Sequence, residues 1–263
     1  MLAGAGLSTE SGIPDYRGVT GSLRRHTPMT YQEFVASAVG RQRYWARSYL
    51  GWRTIIGARP NAGHHAVAAL ETAGYVSGVI TQNVDGLHRA AGSADAIELH
   101  GGLDRVICLT CNALSTREEL DLRLHAENPG FRERVASGRI NPDGDVELED
   151  TLVAGFRIAS CLACGTGILK PDVVFFGENV PKPRVQQCYE LIDRSRGLLV
   201  LGSSLTVMSG LRFVRHTAKA YKPVAIINPG ETPGDPQAGI RAYLPPGPAL
   251  GKLAESLGAG PAP

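Results

Sequence analysis

The sequence predicts an α/β protein in which a parallel, doubly wound sheet carries a smaller inserted domain. Three observations predict it. Short apolar runs alternate with amphipathic stretches, and each run ends in Gly, Ser, Asn or Asp. A stretch dense in glycine and small hydroxyls, Gly4 to Gly18, opens the chain and ends in Asp15-Tyr16-Arg17. Two Cys-x-x-Cys pairs, Cys108/Cys111 and Cys161/Cys164, stand between the α/β segments.

The chain has 263 residues, 43% of them hydrophobic and 20% charged, enough for one large domain with an insertion. A net charge of +2 is too small to make nucleic acid or an anionic membrane surface the main partner. No apolar run approaches the ~20 residues of a membrane helix, and no basic-then-apolar leader opens the chain. These features lead us to expect a cytoplasmic, enzyme-like protein.

Taken in order, Gly4 and Gly6 let backbone amides come close to an anion, although Thr9 stands where a strict G-x-G-x-x-G has its third glycine. Only Met1-Leu2-Ala3 precede this loop, so the first strand is expected to be cut short, with the natural start upstream or Met1 an alternative start. Residues 31–35 and 42–52 repeat aromatic and apolar positions at three and four, predicting short helices with Trp45 in the core. Ala62–Ala73 reads as a helix ending at Gly74, with His64-His65 on its surface. Tyr75–Thr81 is expected as a strand that delivers Gln82-Asn83-Val84-Asp85. Ala96–Leu99 is another and delivers His100. Residues 127–150, rich in Asn, Pro, Gly and acids, read as loop.

After Cys164 come an apolar run ending in Gly-Glu, Pro171–Glu178, and a helix over Arg184–Arg196 that buries Cys188. The fully apolar strand Gly197–Leu201 follows, then a helix over Met208–Tyr221 and the strand Val224–Ile227. The Pro/Gly/Ala-rich tail, 246–263, is expected to be flexible. Ligands of parallel sheets bind beyond the carboxyl ends of the strands. Four polar strand ends, Gly4-Ala5-Gly6-Leu7-Ser8, Gln82–Asp85, Gly202-Ser203-Ser204 and Asn228-Pro229-Gly230, therefore point to a dinucleotide.

Two Cys-x-x-Cys pairs offer four thiolates, the closed tetrahedral set of a structural zinc with no position open for water. Residues 112–160 separate them, more than the roughly 15–20 of a compact ribbon, so spacing alone is less diagnostic. An iron–sulfur cluster is the competing occupant, and a colourless protein would exclude it.

Together these motifs resemble the sirtuin family. Gly4-Ala5-Gly6-x-Ser8-x-x-Ser11-Gly12-Ile13-Pro14-Asp15-Tyr16-Arg17, Thr81-Gln82-Asn83-x-Asp85-x-Leu87-His88, Leu99-His100-Gly101, both Cys pairs, Lys170–Glu178 and Gly202-Ser203-Ser204-Leu205 occur in the family's order, over about residues 3–245. Gln42–Arg47, the insert around Asn141–Val146 and the Lys170–Val174 run look like the class II branch, which includes the mitochondrial sirtuin-4 type.

The resemblance implies a Rossmann-like NAD-binding domain (1–22, 57–102 and 170–245), a helical module (23–56) and a zinc-binding module (103–169). It implies an NAD-dependent protein-lysine deacylase whose partners are NAD and an acyl-lysine protein or peptide. By motif position, Ala5, Gly6 and Ser8 would hold the phosphates, while Asp15 and Arg17, with Tyr16 between them, would lie on a lid. Gln82 would touch the nicotinamide ribose, and Asn83 and Asp85 would line the nicotinamide pocket. Gly202, Ser203 and Asn228 would serve the adenosine half, with Ile240 on the adenine. Val174, Phe176 and Gly177 would take the acyl-lysine, and the peptide would add as a strand. His100 is expected as the general base, since imidazole titrates near working pH. Tyr44-x-x-Arg47 has the spacing of the pair that reads acidic acyl groups in desuccinylase-type members, although one exposed helical turn explains it equally well. Two alternatives share this pocket, a protein mono-ADP-ribosyltransferase and a non-catalytic NAD or acyl-lysine binding module.

Overall fold

The computed structural model describes residues 1–17, 28–133, 135, 146 and 148–259. The expected seam at 22/23, Gly18 of the opening stretch and Asn141–Asp145 of the insert lie outside the described residues.

The strands are β1 (Leu2–Ala3), β2 (Ile80–Thr81), β3 (Ile97–Glu98), β4 (Gly101–Cys108), β5 (Leu114–Thr116), β6 (Leu169–Val173), β7 (Leu198–Leu201), β8 (Val224–Ile227) and β9 (Ile240–Ala242). The helices are α1 (Tyr31–Ala36), α2 (Ala38–Gly57), α3 (Ala62–Thr72), α4 (Leu87–Ala90), α5 (Arg117–Glu127), α6 (Asp150–Ala154), α7 (Lys182–Arg194), α8 (Met208–Lys219) and α9 (Pro246–Ser256). They fall into two units, one of Met1–Arg24, Ala58–His100 and Val180–Pro263, the other of Arg25–Gly57 and Gly101–Asn179.

The first unit is built on a six-stranded sheet of order β3-β2-β1-β7-β8-β9, every pairing parallel. Counted within the sheet, this is the 3-2-1-4-5-6 order of a Rossmann fold, with its switch point between β1 and β7. Alternate residues of one strand face opposite layers. Leu2 and Val200 enter a core with Cys188, Leu191 and Ile192 of α7 and Leu211, Phe213 and Val214 of α8. Ala3 and Leu201 enter the opposite core with Ala66, Val67 and Leu70 of α3 and Leu250 and Ala254 of α9. The two-residue β1 is thus buried on both faces, pairing with β2 and β7 at once.

The structure corrects three expectations and adds one strand. Residues 246–259 are not a flexible tail: α9 carries prolines in its first turn, where no amide is needed, and seals one face of the sheet with Leu250 and Ala254. The strand expected from Tyr75 begins only at Ile80, because the Tyr75 and Val76 amides both return to the Leu70 carbonyl at the end of α3. The run 171–176 is not part of the parallel sheet. Its first residues belong to β6, which pairs antiparallel with β4, so 170–179 fall in the second unit. An edge strand, β9, was not anticipated, since its residues are mostly exposed and lack an apolar run.

The second unit holds a three-stranded antiparallel sheet, β5-β4-β6, and helices α1, α2, α5 and α6. Thr30 caps α1 and Thr116 caps α5, each in a reciprocal box with a glutamate three residues on. Trp45 of α2 donates its indole N–H to the Leu169 carbonyl at 3.1 Å, so the helical and zinc-module segments share one core. Arg117 is buried between Trp45 and Trp52, 5.3 and 4.8 Å from the ring centroids, and lies 3.6 Å from Asp121. Asp121 also accepts from Trp52 and Arg132, which compensates its burial and holds its carboxyl below the usual carboxylate range. Phe131, Phe156 and Tyr49 form a second aromatic cluster, with Arg132 over the Tyr49 ring.

Candidate active site

At the switch point of the first unit, the turn after β1 lies against the turn after β7. Gly4 N–H donates to Leu201 O at 2.9 Å and Gly6 N–H to Gly202 O at 2.8 Å. A Cβ on Gly4 would stand 2.7 Å from the Ser203 Cβ, and one on Gly6 would stand 2.9 Å from Gly202 O. Gly202 itself is left-handed, φ +57°. These glycines therefore serve the close approach of two chain segments, and their amides are already used. Among the described residues the Ala5 amide has no backbone partner, which leaves it as the donor this turn can offer an anion.

Ser8 is buried and spent on its neighbours. Its hydroxyl donates to Asp85 Oδ2 at 2.7 Å and accepts from Asn83 Nδ2 at 2.9 Å. Asn83 Nδ2 also donates to Gly4 O, and Asp85 Oδ1 accepts the Leu87 amide at 2.9 Å. Burial pushes the Asp85 carboxyl up, against the pull of the Leu87 and Ser8 bonds. Asn83 and Asp85, which sequence motif places on the nicotinamide side, are thus one rigid polar cluster with Ser8.

His64 joins this cluster and is not on a helix surface. It is fully buried because Asn61 caps α3 reciprocally, donating its own amide to His64 Nδ1 at 3.3 Å while its side chain accepts the His64 amide. An acceptor at Nδ1 puts the proton on Nε2, which faces Ser8 Oγ at 3.5 Å. The Asn-x-x-His spacing was the available signal. His88 packs against His64 with ring centroids 5.0 Å apart, and neither of its nitrogens has a hydrogen-bond partner among the described residues. Burial lowers His64 to about 4 and His88 to about 3.

His100 follows β3 and is held at both nitrogens. Nδ1 lies 2.9 Å from the Gln82 carbonyl and Nε2 lies 2.9 Å from Ser209 Oγ. A carbonyl only accepts, so Nδ1 carries the proton and Nε2 presents its lone pair. Burial lowers this imidazole to about 4, opposed by the Gln82 carbonyl and aided by the cations Arg184 and Arg212. Gln82 is fixed in turn by Ser203, whose hydroxyl donates to Oε1 at 2.6 Å. His100 is therefore neutral at pH 7 and has the form of a proton acceptor.

The remaining first-unit positions frame these groups. Ser204 accepts from Thr206 at 3.1 Å, and Asn228 bends after β8 by donating to Gly230 O at 2.7 Å, with Pro229 and Gly230 exposed. Ile240 lies exposed on the edge strand. Asp15, Tyr16 and Arg17 follow the buried Ile13 and are half-buried.

In the second unit, Phe176 makes a parallel bridge to Thr30, and its carbonyl accepts the Tyr31 amide at 2.9 Å. Gly177 is left-handed, φ +78°, and its carbonyl accepts from Gln32 Nε2 at 3.0 Å. Glu178 ties this turn back, accepting the Phe175 amide at 2.8 Å and the buried Lys170 ammonium at 3.0 Å. Val174 and Phe176 remain half-exposed. The Tyr44 ring is buried, 5.4 Å from Phe34 and 5.2 Å from Phe175, whereas Arg47, one turn further along α2, is half-buried.

The four cysteines of the two pairs come together in the same unit, with all Sγ atoms within 4.8 Å of one another. Cys108–Cys164 and Cys111–Cys161 are each 3.8 Å apart. That is the edge of a tetrahedron with bonds of about 2.3 Å, the Zn–S length. A Cβ on Gly167 would collide with the Cys108 sulfur, so glycine keeps the space beside the thiols. The donor set fits one zinc ion, with all four positions filled by protein.

Comparison with known proteins adds three findings. The Sir2 family pattern matches residues 4–209. Among curated proteins, the NAD-dependent protein deacetylase 1 of Streptomyces coelicolor is 63% identical over 98% of this chain and 85% of its own length. The NAD-dependent protein deacylase Sirt4 of Drosophila melanogaster is 46% identical over 96% of this chain and 81% of its own. Among solved structures, a Sir2 described as bound to a p53 peptide and NAD+ superposes with a TM-score of 0.74 at 29% identity, covering 98% of this chain and 92% of that one.

Proposed function

The chain belongs to the Sir2 family, and on that premise we propose that it is an NAD-dependent protein-lysine deacylase. The acyl group passes from lysine to ADP-ribose, and nicotinamide is released. The observation that carries this reading is His100, neutral, with its Nε2 lone pair presented at the carboxyl edge of the sheet and its tautomer set by Gln82. When bound, NAD supplies an electrophilic ribose carbon with a built-in leaving group. The protein's part is to bind, orient and take a proton. Ala5 supplies a free amide to a phosphate, and Gly4, Gly6 and Gly202 keep that turn narrow. Asn83 and Asp85, braced by Ser8, orient the nicotinamide amide. Gln82, its side chain fixed by the Ser203 hydroxyl, holds the ribose side, and Ser203 itself goes with the adenosine half. Gly202, Ser204, Asn228–Gly230 and Ile240 serve the adenosine half, and Asp15, Tyr16 and Arg17 close over the cofactor. His100 Nε2 then accepts a hydroxyl proton. In the second unit, Val174, Phe176 and Gly177 take the acyl-lysine and its backbone, with Arg47 biasing acyl choice beside a packed Tyr44. Cysteines arranged for zinc rather than disulfides support a cytoplasmic setting.

The test is a panel of peptides carrying acetyl-, longer, branched and acidic acyl-lysines, incubated with NAD and read by mass spectrometry. Nicotinamide release that requires the peptide, with loss of the acyl mass, is expected. His100→Ala should keep NAD binding and lose turnover by ~10²-fold or more. NAD consumption without acyl peptide that leaves ADP-ribose on protein would instead mark a transferase, and absence of nicotinamide release would mark a binding module. An unchanged acyl ranking in Arg47→Met removes that residue from acyl choice.

A further inference from the structure

We propose that Ser209, in the first turn of α8, is the positioning residue that sets His100 up as a proton acceptor. The inference deepens the deacylase reading and rests on it for its kinetic part alone. Three features of the structure converge on this contact. Ser209 Oγ lies 2.9 Å from His100 Nε2, the nitrogen left with a lone pair once Nδ1–H is given to the Gln82 carbonyl. The turn that delivers Ser209 is built for close approach. Gly210 is buried, and a Cβ there would stand 2.6 Å from Gln82 Nε2, so α8 seats on Gln82 and His100 together. Leu205, which leads into that turn, is held left-handed at φ +51°, a region unfavourable for a branched side chain, and is nearly fully buried.

A serine hydroxyl suits this place because it is both donor and acceptor. To the neutral imidazole it donates, meeting the lone pair that the Gln82 contact leaves at Nε2. Once Nε2 takes a proton, the hydroxyl turns and accepts the new N–H, while Nδ1–H stays on the Gln82 carbonyl. In that step the Ser209 O–H turns off Nε2, the substrate hydroxyl's O–H bond breaks, an N–H bond forms at the freed Nε2 lone pair, and the electron pair remains on the substrate oxygen. The imidazolium then has both N–H groups satisfied where burial and the cations Arg184 and Arg212 otherwise oppose it. Hydrogen bonds to the charged ring are about twice as strong as those to the neutral one, so loss of Ser209 penalises the cation more. Nothing in the sequence marked Ser209, which stands outside every motif used above.

The test compares wild type, Ser209→Ala and Ser209→Thr. Two-bond 1H–15N spectra of histidine-labelled protein without NAD, assigned with His100→Ala, read the tautomer and titration of His100 directly. In wild type the ring should be in the Nδ1–H form. In Ser209→Ala the Gln82 carbonyl should keep the ring in the Nδ1–H form, and the His100 titration should move to lower pH. With NAD and acyl peptide, kcat should fall ~10-fold with KM for NAD unchanged, and Ser209→Thr, which keeps the hydroxyl, should restore both titration and rate. A Ser209→Ala protein with wild-type titration and kcat overturns the proposal, as does a threonine variant that behaves like alanine. If the ring responds to Ser209→Ala but wild-type protein does not turn over acyl-lysine, the deacylase reading fails while the Ser209–His100 coupling stands.

Discussion

His64, His88 and His100 are kept neutral by one cause, burial, but for different ends. His64 braces Ser8 and caps α3, His100 offers a lone pair, and His88 offers nothing beyond its volume and its packing on His64. Their combined effect on stability has a definite sign. In the unfolded chain each titrates near 6.5, and in the fold near 4, 3 and 4. Between about pH 4 and 6.5 the unfolded chain therefore binds more protons than the folded one, so stability is intact above that window and is lost as pH falls through it. Each histidine contributes a slope of up to about 1.4 kcal/mol per pH unit. Urea midpoints should stay level from pH 7.5 to about 6.5 and fall from there to 5.0. His88→Leu should flatten the curve, because an apolar side chain replaces a ring whose nitrogens have no hydrogen-bond partner among the described residues. A variant with the wild-type slope would show that His88 is paired or solvated in solution.

At the scale of elements, what could be read from the sequence depended on whether the signal was local. The strands β7 and β8, the helices α3, α7 and α8 and the four cysteines are spelled by their own residues, as apolar runs, 3.6-residue spacing with caps, and a repeated Cys-x-x-Cys. The polar residues that follow β1, β2, β7 and β8 were legible for the same reason. Elements whose character is decided by a distant neighbour were not legible. An apolar run does not state whether its partner lies parallel or antiparallel, so residues 170–179 were grouped with the parallel sheet's domain. Ser209 matters only because α8 meets His100. The helix α9 was hidden by its composition, since Pro246 and Pro248 read as breakers although the first turn tolerates them. Its apolar positions, Leu250, Leu253, Ala254 and Leu257, still recur at three and four, and Leu250 is fully buried against α3. Leu250→Ala should cost about 2–5 kcal/mol in chemical denaturation, the range for a buried leucine truncated to alanine. A loss under half a kilocalorie would mean that α9 is a loosely held tail after all.

At the scale of the whole chain, two units with separate cores divide the chemistry. The parallel sheet carries His100 and the polar strand ends between its own two apolar layers, and none of the four clustered cysteines lies in either layer. The cysteine cluster sits where β4 ends, at Cys108 paired with Leu169, so the ligand knuckles continue the β4–β6 ladder and have little apolar core of their own. Zinc binding there contributes to folding directly. The aromatic cluster of Tyr49, Phe131 and Phe156 and the buried Arg117 between two tryptophans form a second source of stability in the same unit. Removing the metal should therefore loosen the knuckles and the strands next to them while leaving the parallel sheet closed. Hydrogen exchange read by mass spectrometry, on protein holding about one zinc per chain and again after chelation, should show faster exchange in peptides over 106–116 and 159–170, with 198–201 and 224–227 unchanged. Equal acceleration in the parallel strands would mean that the two units unfold as one. No acceleration anywhere would mean that the four thiols hold their geometry without a metal, and that zinc has no structural part in this protein.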